Sequence, residues 1–293
     1  MKKRILSLIL ALSMVLSVFP LGAFAEGSTG DLVIKYSYPV GTSGSGWSYD
    51  NNTQTLYLNS GTYNFSYTYP QTPNTPGAQP VAAVPFKIQL DGDAKITGGT
   101  FQNEVSNKYG TISNGTFESD VTNDSNINGG NFQKMCTVTN GGTISDGTFA
   151  GSVENKGAIN GSGTFKGSVT NWSTISSGTF QNGCSVTNNN TISGGTFKNT
   201  CSVTNNSFIN DGTFEGTVTN DTSGRIFGGT FQSTGSVTNK GNIDSNKGTF
   251  EGTVTNNTGT ISGGTFNGTV YNNEQINGCL LYTSPSPRDA HES

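Results

Sequence analysis

The chain has 293 residues, of which 41 are glycine and only 12% are Asp, Glu, Lys or Arg. Its formal net charge is −4 at pH 7 and it has no basic stripe, so the composition argues against nucleic-acid binding. Gly, Asn, Thr and Ser dominate, and no apolar period of three or four residues is sustained. These features disfavour helices and predict an all-β fold.

Residues 1–25 have the pattern of a secretory signal peptide. Basic residues at positions 2–4 are followed by an apolar stretch, and Ala23-Phe24-Ala25 fits the small-residue cleavage rule. We therefore expect a secreted or cell-surface protein whose mature chain begins at Glu26. Beyond this segment no apolar stretch is long enough to span a membrane.

Residues 26–68 predict an N-terminal β cap. Polar and apolar residues alternate in Thr55–Leu58 and Thr62–Tyr67, on either side of a turn at positions 59–61. The open edge of a stacked β structure needs a cover, so the aromatic and apolar residues of this region fit the core of such a cap. Residues 69–85 carry five prolines and are typical of a loop or linker.

A second interpretation makes the aromatic residues of this region a platform on which sugar rings stack. Exposed aromatic rings pack well against the apolar faces of sugars. The candidate glycan-stacking residues are Trp47, Tyr49, Tyr57, Tyr63 and Tyr67.

Residues 86–278 are a repeat in which Ile, Phe and Val recur in fixed order every 15 to 19 residues, usually 16 or 17. Phe and Val lie four or six residues apart, which places both on one face of an extended chain. This pattern predicts a parallel β-helix, or β-solenoid, of about eleven coils with three short strands each. The Phe column comprises Phe101, Phe117, Phe132, Phe149, Phe165, Phe180, Phe197, Phe214, Phe231, Phe250 and Phe266.

The corners of the coil have their own signature. Every Phe of the column is preceded two positions earlier by Gly, which enters positive φ without penalty. Every column Val is followed two positions later by Asn, from Asn107 to Asn272. Stacked coils would align these Asn side chains as an amide ladder, so we expect them to be structural.

Three cysteines of the repeat, Cys136, Cys184 and Cys201, have inward parity. Each occurs in a copy with the longer Phe-to-Val spacing. Cys184 and Cys201 lie one coil apart, within disulfide range, and secretion would permit oxidation. In-register parallel neighbours suit disulfide geometry poorly, which favours a buried thiol pair; without histidine or a paired-Cys motif, metal ligation has no support.

Residues 279–293 break sharply from the repeat. Cys279–Asp289 reads CLLYTSPSPRD and resembles the in-frame translation of a transposon-type sequencing adapter, followed by index sequence. We expect this segment to be an artefact. The number of repeats would then be a lower bound, and the single histidine, His291, would not be native.

The segment GWSYDNNTQTLYL, followed by LDGDAKITGGTF and the GTISGGTF copies, resembles secreted surface proteins of gut-type Firmicutes. Such proteins are often described as carbohydrate-binding-domain or parallel β-helix proteins. The resemblance covers most of the mature chain and implies glycans, or a host or cell-wall surface, as partners. It supplies no catalytic residues.

The residues also argue against an enzyme. Polysaccharide-cleaving β-helices need acids and bases clustered on one face, whereas the carboxylates here are dispersed and no histidine base is present in the repeat. We therefore predict no catalytic, cofactor-binding or metal-binding residue.

Three functions stay open at this point. The first is a non-catalytic, adhesin-like surface protein that binds glycans. The second is a purely structural stalk that carries a missing C-terminal domain. The third is ice binding, because the Ser and Thr residues beside the Val column predict two parallel hydroxyl columns on a flat sheet.

Overall fold

The computed structural model describes residues 43–44, 46–65, 67–68, 79–80, 83–274, 276–277 and 281–282. The expected signal peptide at 1–25, most of the Pro-rich segment at 69–85 and most of the adapter-like segment at 279–293 lie outside these residues. The described part of the chain consists of strands, turns and bends without a helix, which confirms the all-β prediction. Its strands stack in parallel as a β-solenoid of about eleven coils.

One long sheet of the solenoid contains the strands that carry the column valines, which we call the Val face. From Thr55–Leu58 onward neighbouring strands pair in parallel and in register, as in Val186 opposite Val203. The sheet contains Ser43–Gly44, Trp47–Asp50, Thr55–Leu58, Lys87–Leu90, Val105–Asn107, Val121–Asn123, Val138–Asn140, Val153–Asn155, Val169–Asn171, Ser185–Asn188, Ser202–Asn205, Thr217–Asn220, Ser236–Asn239, Thr253–Asn256 and Val270–Asn272.

The second long sheet carries both the column isoleucines and the column phenylalanines. In five coils these form two short strands: Lys95–Gly98 and Thr100–Phe101, Thr111–Ile112 and Thr116–Phe117, Ala158–Ile159 and Thr164–Phe165, Thr174–Ile175 and Thr179–Phe180, and Arg225–Ile226 and Thr230–Phe231. In six coils they join into one bent strand: Asn126–Phe132, Thr143–Phe149, Thr191–Phe197, Phe208–Phe214, Asn242–Phe250 and Thr260–Phe266. Thr62–Asn64 and Leu281–Tyr282 also belong to this sheet, and Tyr67–Thr68 pairs separately with Gln79–Pro80.

The joined strands modify the prediction of three strands per coil. The three segments exist in every coil, but the Ile and Phe segments share a sheet that bends between them. The register shifts at this bend, for example between Ile192 and Thr196. Gly195, which lies in the bend, has φ of +100°, a conformation that a side chain disfavours.

Nine of the eleven bend glycines have positive φ, and the two exceptions have a common cause. In most coils the Phe comes five positions after the Ile, whereas Phe165 comes six positions after Ile159 and Phe250 seven positions after Ile243. The glycines of these two longer bends, Gly163 and Gly248, are those outside the positive-φ set. The additional residues let the chain turn without a left-handed glycine at that position.

The interior of the solenoid is a set of buried ladders. The column Ile, Phe and Val side chains are buried, except that Val270 on the last coil is partly exposed. Successive rings from Phe101 to Phe266 stack with centroids 4.5–4.9 Å apart and planes within 14° of parallel. This spacing equals the strand separation of a β-sheet, so each ring packs on the next coil without changing the backbone register.

The amide ladder predicted from the Asn column is confirmed. Each Nδ2 donates to the Oδ1 of the Asn on the next coil, at 2.6–2.8 Å, from Asn107 through Asn272. Every member before Asn272 is fully buried. Leu90 occupies the equivalent position before Asn107, so the buried Oδ1 of Asn107 has no hydrogen-bond partner among the described residues.

Residues 55–65, within the predicted cap region, add a further rung below the first repeat. Leu56 pairs with Ile88 and Tyr63 pairs with Ile96, which continues the Val and Ile columns. Phe65 meets Phe101 edge-on, with ring centroids 5.4 Å apart. The antiparallel strand Trp47–Asp50 then covers the exposed edge of this rung.

Candidate functional site

The outward positions of the solenoid vary from coil to coil, in contrast to the uniform interior. They divide into the N-terminal aromatic region, the Val face, and the bend between the Ile and Phe segments. The chemistry of each surface decides which of the expected functions it can support.

The structure separates the five predicted glycan-stacking residues. Trp47 and Tyr63 are buried, with relative exposures of 4% and 3%, so their rings are covered by protein. Tyr49 is half-buried and packs edge-on against Phe86 at 5.7 Å, and Tyr57 is half-buried on the Val face. Tyr67 lies in a two-residue strand, and its side chain falls outside the described part. These residues therefore do not form one exposed platform.

The buried Tyr63 hydroxyl holds the turn beneath the cap. It lies 2.9 Å from the carbonyl oxygen of Gly46 and 2.5 Å from that of Ser60. Burial raises the pKa of Tyr63 to about 12, and the carboxylate of Asp93 adds to the effect. This tyrosine is therefore neutral at physiological pH, and its contacts are those of a structural residue.

The Val face presents two columns of hydroxyl groups on either side of the column valines. Six successive coils, from Ser168 and Thr170 to Thr253 and Thr255, carry Ser or Thr at both positions. Glu154 replaces Thr at one end of the array and Tyr271 at the other. The columns lie about 6.7 Å apart across the strand and repeat about every 4.8 Å along the axis.

Charged side chains are scattered over the surface, and several form ion pairs between neighbouring coils. Lys87 Nζ lies 2.6 Å from Glu104 Oε2, and Lys198 Nζ lies 2.8 Å from Glu215 Oε1. Within the described residues, no group of three His, Cys, Asp or Glu side chains lies close enough to hold a metal ion. Among the described residues, the carboxylates of Glu104, Glu154, Glu215 and Asp221 each form one ion pair.

The three described cysteines are buried and unbonded. Cys184 donates to the carbonyl oxygen of Gly167 at 2.9 Å. Burial raises the pKa of Cys136 to about 12, with a smaller contribution from the carboxylate of Asp120. A hydrogen bond with Cys184, together with burial, raises the pKa of Cys201. The thiols of Cys136 and Cys201 are therefore protonated at neutral pH and unsuited to act as nucleophiles.

A shallow groove of about 420 Å³ runs along the bend between the Ile and Phe segments, and we call it the bend groove. It is lined by glycines, by hydroxyl side chains and by one carboxylate, that of Asp211. The polar side chains that line it are Ser162, Ser177, Thr179, Thr196, Asp211, Thr213 and Thr230.

Two exposed aromatic residues lie on the last two coils that line this groove, in the coils that carry Asp211 and Thr230. Phe208 and Phe227 are 40% and 37% exposed, and their ring centroids lie 6.0 Å apart at an interplanar angle of 25°. Phe208 immediately precedes the column residue Ile209, and Phe227 immediately follows Ile226 on the next coil. We call these two residues the aromatic pair.

The bend groove and the aromatic pair were not predicted from the sequence. The alternation of side chains along a strand could have predicted that Phe208 and Phe227 point outward, because each is adjacent to an inward isoleucine. The longer Ile-to-Phe spacings that begin at Ile159 and Ile243 are also visible in the sequence. The concave shape was not, because it depends on how the bends of successive coils stack.

No protein-family model, curated protein or solved structure matches the chain. Among the described residues, no helix is long and apolar enough to cross a membrane.

Proposed function

We propose that the protein is a secreted, non-catalytic surface protein, an adhesin-like β-solenoid that binds glycans. The observation that carries this proposal is the contrast between a uniform interior and a varied exterior. The side chains of the Phe, Asn, Ile and Val ladders occupy the inward positions, while the outward positions carry hydroxyls, amides and exposed rings. Glycan ligands match such a surface because they present hydroxyl groups and apolar C–H faces.

Secretion is supported by the pattern of residues 1–25 and by the composition of the surface. Charged residues are sparse and no basic patch is evident, so attachment to a neutral, hydroxyl-rich surface is better matched than binding to nucleic acid. The resemblance to secreted Firmicutes-type surface proteins points the same way.

A glycan array probed with the full chain tests this proposal. Saturable binding to at least one glycan class would support the adhesin. Absence of binding to every glycan would contradict it and favour a structural stalk. The burial of Trp47 and Tyr63, which removes two of the predicted stacking residues, is consistent with that alternative.

Ice binding is a second candidate because of the uninterrupted hydroxyl array from Ser168 to Thr255 on the Val face. A regular, flat array of hydroxyls is the feature that such a function requires. Measurement of thermal hysteresis decides this alternative: a freezing-point gap that rises with protein concentration would support it, and no gap would eliminate it.

A further inference from the structure

We propose that the bend groove and the aromatic pair form one binding site for a linear, neutral glycan. This inference rests on the proposed glycan-binding function and adds the location of the site and the shape of its ligand. It is independent of the N-terminal aromatic residues, two of which are buried.

The aromatic pair supplies the apolar part of the site. Phe208 lies in the outward column directly before the column isoleucines, and Phe227 lies in the column directly after them. From Lys95 to Ser262 these two columns hold no other aromatic residue. Each ring leaves more than a third of its surface exposed, although the two rings contact one another. Aromatic surface of this kind gains free energy when an apolar face covers it, and the C–H face of a sugar ring is such a surface.

Polar groups surround the two rings in a regular arrangement. On two successive rungs the outward side chains are Phe208 and Asn210, then Arg225 and Phe227, so the rings occupy one diagonal and the polar groups the other. Asn210 and Arg225 are both exposed. An amide and a guanidinium together offer both donors and acceptors to sugar hydroxyls.

The charges favour a neutral ligand. Asp211, which follows Asn210, is the carboxylate that lines the bend groove, and its Oδ1 accepts a hydrogen bond from the Gly212 amide at 2.7 Å. Arg225 on the neighbouring rung supplies one cation, so the outward charges of these two rungs sum to zero. The carboxylate of Asp211 would repel a polyanionic glycan, whereas the hydroxyl groups of a neutral glycan can donate hydrogen bonds to the Asp211 oxygens.

The shape of the groove favours a chain over a single sugar. Its lining comes from five successive coils, from Gly161 to Thr230, and four coil steps of about 4.7 Å give a length of roughly 19 Å. Residues 161–162, in a coil with a longer bend, line one end. At the other end, the next coil beyond Thr230 carries the longer bend around Ser245. Ser245 Oγ donates to the carbonyl oxygen of Phe227 at 3.1 Å, which anchors this end to the aromatic pair.

The test uses the full chain on an array of neutral mono- to hexasaccharides built from glucose, galactose, mannose and N-acetylglucosamine, followed by calorimetric titration of the best hit. Phe208→Ala and Phe227→Ala should each weaken that hit by about tenfold or more, because each removes one stacking surface. Tyr109→Ala is the matched control, since Tyr109 is a 62% exposed aromatic residue on a distant coil. Because the two rings are partly covered and contact one another, each variant should lower the unfolding midpoint only slightly, and circular dichroism checks that it stays folded.

The outcomes separate the site from the general function. Weaker binding in both Phe variants but not in Tyr109→Ala, with longer oligomers bound more tightly than monosaccharides, would support the site. A hit that both Phe variants retain would overturn this site and leave the adhesin proposal standing. Equal affinity for monosaccharides and hexasaccharides would overturn the linear groove, and no hit on the array would overturn site and function together.

Discussion

A buried asparagine side chain must satisfy two amide hydrogens and a carbonyl oxygen, and the Asn column does this across coils. Asn188 Nδ2 donates to Asn205 Oδ1 at 2.7 Å and to the backbone carbonyl of Phe208 at 3.0 Å. Its Oδ1 accepts from Asn171 Nδ2 at 2.8 Å. Each ladder amide from Asn123 to Asn256 therefore joins its own coil to both neighbouring coils, which a hydrophobic residue could not do.

Replacement of Asn188 by alanine should destabilise the solenoid by about 2–4 kcal/mol, because it breaks two ladder hydrogen bonds and leaves a small cavity. The free energy is measured by urea unfolding followed by circular dichroism. Asn199→Ala is the matched control: Asn199 is exposed, so its replacement should change stability by less than about 0.5 kcal/mol. Equal effects of the two variants would show that the ladder does not hold the coils together.

The buried thiols predict a loss of stability at alkaline pH. The pKa of Cys136 is raised from 9.0 to about 12 in the folded chain, so its contribution is fully present below pH 9.0 and is lost as the pH rises towards 12. Urea midpoints should therefore fall as the pH rises from about 9 towards about 12, and less steeply in Cys136→Ala than in the wild type. Tyr63, whose pKa is also raised to about 12, adds to the fall in both proteins. Identical pH slopes for the two proteins would contradict the burial of this thiol.

At the scale of the coil, the bend between the Ile and Phe segments depends on glycine conformation. Gly195 and Gly163 have similar surroundings: a Cβ would lie 3.3 Å from the Gly178 carbonyl oxygen in the first case and 3.2 Å from the Phe165 ring in the second. They differ in conformation, since Gly195 has positive φ and Gly163 does not.

We therefore expect Gly195→Ala to destabilise the solenoid more than Gly163→Ala, by an additional 1–3 kcal/mol or so, which is the usual cost of a side chain in a strained backbone conformation. Thermal unfolding of the two variants measures the difference. A larger effect at Gly163 would mean that steric contact, and not backbone conformation, governs the bend.

Much of the coil could be predicted from sequence because the repeat reports inward positions directly. Parity placed Phe180, Val186 and Cys184 in the interior, and the Asn spacing predicted the ladder. The fusion of the Ile and Phe segments into one sheet could not be predicted, because it depends on hydrogen bonds across each bend. Whether Trp47 and Tyr63 are exposed or buried could also not be predicted from the sequence. It depends on how strand Trp47–Asp50 pairs with Thr55–Leu58 and covers the edge of that rung.

At the scale of the whole molecule, one spacing governs every column. Ring centroids, amides and strands all repeat at about 4.7 Å, so the ten steps from Phe101 to Phe266 make a rod of roughly 47 Å. Both the stalk and the proposed binding site require this continuity, because the bend groove is assembled from five coils.

Distances between spin labels on one outward column test this continuity most directly. Thr122, Thr170 and Thr255 lie in the same column of the Val face, and eight coil steps separate the first from the last. Cysteine replacements at these positions, with Cys279 changed to Ser, would carry the labels, while the buried thiols stay unmodified.

We expect electron–electron double resonance to give a distance of about 38 Å between labels at positions 122 and 255. The distance between positions 170 and 255 should be about 24 Å, in proportion to eight and five coil steps. Distances that do not scale with the number of coils, or that are broadly distributed, would contradict a single continuous solenoid and with it both proposals.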